Sequence, residues 1–182
     1  NSWHTPNLLF AIELTDSLLT HFYDEKNGGF FFTANDHEAL LYRPKTFMDE
    51  AISAGNGIAV QVLLKLGYLL GATSYLAAAE KTLSAAWPIL NNYPSEHCSL
   101  LIGLKNYINP SQSIILRGRK EKLLPWISAI KEKTNFSENL YFIPDDANNL
   151  PEALALKKSS DKPCTYLLTG HKCLTVIDDL NY

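Results

Sequence analysis

Residues 53–70, SAGNGIAVQVLLKLGYLL, decide the fold class. Ser53 to Gly57 is turn chemistry. Ser53 or Asn56 can accept from free N–H groups of a first helical turn, and the glycines permit tight turning. Ile58 to Leu70 then carries Val60, Val62, Leu63, Leu64, Leu66 and Leu69. A helix apolar on nearly every side is a buried helix, and Gly71 can end it. The fold is therefore built around an inner helix.

Working outward, the flanks are helical too. Pro6 to Phe22 places Leu8, Leu9, Ile12, Leu18, Leu19 and Phe22 near helical spacing. Lys26-Asn27-Gly28-Gly29 ends it as a turn. Phe30 to Thr33 reads as a strand, and Leu40 to Arg43 as its return strand, stopped by Pro44. Downstream, Ser74 to Asn91 is amphipathic, with Pro88 expected to kink or shorten it. His97 to Tyr107 is a further helix. Inner apolar helices alternating with outer amphipathic ones suit a solenoid or a ring of helical hairpins.

The pattern changes at Pro110. Ile114 to Gly118 reads as a strand, Leu123 to Ile130 as a helix and Leu140 to Ile143 as a strand. Glu152 to Lys157 is a short helix or turn, Thr165 to Leu168 a third strand, and Asp178-Asp179-Leu180 a final helix start. Strand–helix–strand order predicts a parallel pair.

The chain has 182 residues, a net charge of −3 and 46% hydrophobic residues. That composition supports a globular core. The charges are scattered, so nucleic acid and anionic membrane are not expected partners. No apolar run reaches the ~18 residues of a membrane span. Three cysteines, Cys98, Cys164 and Cys173, are too few for a disulfide scaffold and point to a reducing cytoplasm. The start, Asn1-Ser2-Trp3, has neither Met nor a leader, and reads as a cut within a longer chain.

An ordered set of motifs carries a resemblance. These are Gly28-Gly29-Phe30-Phe31, Arg43-Pro44-Lys45, Asp49-Glu50-Ala51, Gly55-Asn56-Gly57 and Leu64-Lys65-Leu66-Gly67. Ala78-Ala79-Glu80, Tyr93-Pro94, Ile115-Leu116-Arg117-Gly118 and Tyr166 to Cys173 follow. Together they resemble the spermatogenesis-associated protein 20 family of thioredoxin-domain proteins, over essentially the whole chain. The resemblance implies a mainly α fold with a small α/β part. Residues 1–109 would be the last helices of an α/α toroid, with a β-hairpin near 30–43, and residues 110–182 a small C-terminal α/β region. It implies earlier toroid hairpins and a thioredoxin-like domain as partners within a parent chain. It also implies a pocket like those of sugar epimerases and six-hairpin glycosidases. Where the family pattern has Cys-x4-Cys, this chain has Leu168 and Cys173, which weakens any inherited disulfide or metal role.

The candidate chemistry lies between Lys45 and Asn56. Asp49 or Glu50 could act as general acid or base, and Lys45 and Asn56 could bind substrate hydroxyls. The competing reading is that Asp49 and Asn56 organise the turn before the buried helix. One carboxylate is incomplete for glycoside hydrolysis, which normally uses two. His97 is either a proton shuttle or a structural histidine at a helix start. His37 is expected in an exposed turn. Cys164, His171 and Cys173 lack the paired spacing of zinc sites, so neither metal nor cofactor is expected. Arg117, Arg119, Lys120 and Lys122 form the one basic cluster, read as a solvated helix start or a phosphate site. Two functions follow: one wall of a carbohydrate pocket, or a non-catalytic scaffold supporting a redox domain. Cutting a toroid would bare an apolar face, so self-association is expected.

Overall fold

The computed structural model describes residues 3–38, 40–133, 139–159, 162–170 and 172–177. Among them are six α-helices, one 3-10 turn and four β-strands. The chain is mainly α with a small α/β part. It divides into two compact units: a helical one (Leu9–Tyr68 and Ala72–Asn109) and a sheet one (Asn1–Leu8, Leu69–Gly71 and Pro110–Tyr182). No helix among the described residues is long and apolar enough to cross a membrane.

The helical elements are α1 (Thr5–His21), α2 (Gly55–Leu70), α3 (Thr73–Asn92) and α4 (Cys98–Ile108). In the helical unit, Val60, Leu63, Leu64 and Leu66 of α2 are buried, with Leu83, Ala86 and Leu90 of α3 and Leu100 of α4. Burying a large aliphatic side chain contributes about 2 kcal/mol, so this cluster outweighs any local propensity defect. Pro88 shows this: α3 continues past it to Asn92 instead of ending. Pro88 lies on the exposed side, between buried Ala86 and Leu90. Inner helix α2 is not covered all round. Ile58 is 45% exposed and Val62 39%.

The β-hairpin expected over 30–43 does not form among the described residues. Tyr23 and Phe30 make an isolated bridge, and Phe32 N donates to Pro44 O at 2.8 Å. No ladder follows, because a side chain takes the Phe30 backbone: Asn56 bonds both its N–H and its C=O. Leu41 and Tyr42 are exposed and have no face to bury.

The sheet unit has strand order β2-β1-β3-β4. The strands are β1 (Gln112–Gly118), β2 (Leu140–Pro144), β3 (Cys164–Thr169) and β4 (Lys172–Ile177). β1 and β2 are parallel, joined through α5 (Lys120–Lys133). β1 pairs antiparallel with β3, and β3 with β4. Alternation gives the sheet two apolar faces. Ile115, Ile143 and Leu168 pack with Leu69 and with Leu154 of α6 (Glu152–Ala155). Leu116 packs with Leu123 and Trp126 of α5. β4 is unanticipated by the sequence pattern, since Leu174 and Val176 are half exposed on an edge. The helix expected at 178–180 lies outside the described residues.

Candidate functional site

The segment from Asp24 to Asn56 is held by polar side chains rather than by secondary structure. Asp24 Oδ1 accepts from the N–H of Lys26 (3.1 Å) and Asn27 (3.0 Å), an Asx turn that starts the loop. Gly28 (φ 77°) and Gly29 (φ 82°) complete the turn in the left-handed region open to glycine. Lys45 Nζ reaches back to Asp24 Oδ2 (2.6 Å) and Gly28 O (3.0 Å). The ammonium also lies 5.1 Å from the Phe31 ring centroid, and the Arg43 guanidinium 4.2 Å. Burial pushes the Asp24 carboxyl up, but hydrogen bonds from Lys45 and Asn27, with the Lys45 charge, hold it far below the ordinary carboxylate range.

Asp49 joins the loop to α4. Its Oδ1 accepts from Ala54 N (2.7 Å) and Ser99 Oγ (2.5 Å), and its Oδ2 from Ser99 N (2.7 Å). Burial works against ionisation here too. It is overcome by these bonds from Ala54 and Ser99 and by the nearby His97, so the carboxyl sits below its ordinary value. A carboxylate held ionised and bonded in this way is a poor general acid. Glu50 is exposed.

Asn56 is 3% exposed. Its Oδ1 accepts from Phe30 N (2.6 Å), and its Nδ2 donates to Phe30 O (3.0 Å) and Thr46 O (2.9 Å). Neither Asn56 nor Ser53 caps α2. The helix opens instead on the Ala54 carbonyl, which accepts from Ile58 N (3.1 Å), with Ala54 tied to Asp49. His97 is also 3% exposed, and its Nδ1 lies 2.7 Å from Tyr93 O. A carbonyl can only accept, so that contact places the ring proton on Nδ1. His37 is exposed.

Thus Asp49 and His97 lie together, Asn56 anchors the Phe30 backbone and Lys45 closes the Asp24 turn. Sequence reading missed Asp24 and Ser99 as partners. The Asp24-x2-Asn27-Gly28 spacing was the available signal for the first. Ser99 carried none, being distant along the chain.

Beside this loop, within the helical unit, lies a cavity of about 630 Å³. Leu14, Leu18, Phe31, Phe32, Ile58 and Val62 are its large apolar lining residues beside Phe30. Phe32 is 79% exposed and Leu14 54%. The wall is apolar, and the Asn56 amide in it already has backbone partners. In the sheet unit, Leu168 stands opposite Cys173 across β3 and β4. Cys98 and Cys173 are exposed thiols, Cys164 is buried, and His171 lies outside the described residues. Among the described residues no cluster of three or more His, Cys, Asp or Glu could hold a metal ion.

No protein-family profile and no curated protein matches the sequence.

Proposed function

We propose that the helical unit is a non-catalytic interaction module, whose apolar cavity receives the apolar face of further α-helical hairpins. The resemblance to thioredoxin-domain proteins with an α/α toroid supplies the expected partner: neighbouring toroid helices. The observation that carries the reading is the cavity wall. Leu14, Phe32, Ile58 and Val62 are each more than a third exposed around one concave surface. Such a patch favours helix packing over a hydroxyl-rich ligand. The loop beside it is a brace, since Lys45, Asp49 and Asn56 are hydrogen-bonded within the chain. A cytoplasmic setting fits the exposed thiols of Cys98 and Cys173.

A carbohydrate pocket is the second reading, favoured by the backbone bond from Asp49 N to Glu96 O (2.8 Å), which brings Asp49 beside His97. One pair of measurements separates the two. The native chain should enhance the fluorescence of an apolar dye, and the Phe32→Ser/Val62→Ser variant should reduce that signal several-fold. A panel of neutral sugars should give no saturable heat. Saturable sugar binding, lost in Asp49→Asn at unchanged thermal stability, would overturn the interaction reading.

A further inference from the structure

The basic cluster around β1 is not a simple solvated face. Arg117 is 6% exposed. It follows Ile115 by two residues on β1, opposite Ile143 on β2 and Cys164 on β3. Alternation therefore places a cation on the same sheet face as the apolar row of Ile115 and Ile143. Its Nε and Nη1 are buried and lack any hydrogen-bond partner among the described residues. A buried charge short of partners is costly unless a counter-charge is supplied. Asp145 acts on Arg117 through space, but its Oδ2 accepts from Ser159 Oγ at 2.7 Å, and no Arg117–Asp145 ion pair forms among the described residues.

Arg117 lines a second cavity, of about 1000 Å³. Arg119, Lys158, Asp145, Asn148 and Asn149 line it with Arg117. Among the described residues, three cations against one carboxylate leave a surplus of two positive charges. Arg117, Arg119 and Asp145 place the cavity where the parallel strands β1 and β2 end. The carboxyl edge of parallel strands is where open α/β sheets bind ligands. Asn149 takes φ 55° in the loop after β2, beside Asn148.

We propose that this cavity binds a small organic phosphate, its phosphate group compensating buried Arg117 and contacted by Arg119 and Lys158 at the rim. A dianion matches the charge surplus, and a phosphate oxygen set can accept from several guanidinium and ammonium donors at once. The amides of Asn148 and Asn149 offer donors and acceptors to the organic part.

The test is calorimetric titration of the whole chain at fixed ionic strength with inorganic phosphate, glycerol phosphate and glycerol. Glycerol phosphate should bind saturably, inorganic phosphate more weakly and glycerol not at all. Inorganic phosphate binding as tightly as the ester would overturn the organic part of the assignment. Arg117→Met removes an under-bonded buried cation, so it should fold at least as stably and lose the binding. Arg119→Ser/Lys158→Ser changes exposed residues only and should weaken binding tenfold or more, which decides the matter even if Arg117→Met fails to fold. The site is refuted if no phosphate compound binds more tightly than chloride, or if these variants bind as the native chain does.

Discussion

Asn56 shows how a single amide can replace a strand partner. It bonds the N–H and C=O of Phe30 and the C=O of Thr46 from a buried position. Asn56→Ala would leave these groups without that partner, at about 1–3 kcal/mol for each that stays buried and unpaired. We expect a loss of about 3 kcal/mol in denaturant unfolding, and a change under 0.5 kcal/mol would show that the amide does not hold the loop. Lys45→Met should cost roughly 2 kcal/mol, between exposed and fully buried pairs, because it strands the Asp24 carboxylate. Asp24 and Asp49 both titrate below their unfolded values. Their contribution is therefore fully present above the unfolded value of ~4 and is lost as pH falls through the lower folded values. Thermal melts from pH 7 down to pH 2 should show stability falling below about pH 4, with a smaller fall in Asp49→Asn. An acid fall of the same size in that variant would remove Asp49 from the account. At this scale the sequence was half legible. Asp49 and Asn56 stood out as turn organisers or site residues, and the hydrogen bonds favour the turn. Arg117 read as part of a solvated or phosphate-binding cluster, because its burial follows from strand pairing across distant segments.

Among the elements, those fixed by periodicity were readable. The helical stretches at 6–22, 58–70, 74–91 and 97–107 correspond to α1 to α4 within a few residues. The strand–helix–strand order after Pro110 gave the parallel β1–β2 pair. Phe30 to Phe32 has strand composition, but a distant Asn claimed its backbone, which a local pattern cannot reveal. β4 was missed because its exposed Leu174 and Val176 leave no buried alternation. Close approach of α2 to α4 within the helical unit depends on two glycines. A Cβ at Gly57 would overlap the Ser99 side chain, and one at Gly103 would come 2.7 Å from Val60 Cγ1. Gly57→Ala should therefore cost roughly 2 kcal/mol, as overpacking does. Ser99→Gly in the same chain should recover part of that by relieving the overlap, and a double-mutant cycle reads the coupling. Strict additivity of the two changes would mean that α2 and α4 do not meet there.

For the whole molecule, the consequence is an exposed apolar concavity on a unit whose polar loop residues are internally bonded. Under the proposed function the loop braces the unit and the concavity associates. Self-association of the chain is then expected, since another copy offers a matching apolar surface. The most direct measurement is sedimentation velocity across a wide concentration range, on the native chain and on Leu14→Glu/Val62→Glu. Both positions are partly exposed on the cavity wall, so the substitutions should leave the fold intact. The native chain should associate by mass action, and the variant should be a monomer equally stable to heat. A native chain that stays monomeric throughout, or a folded variant that associates equally well, would contradict it.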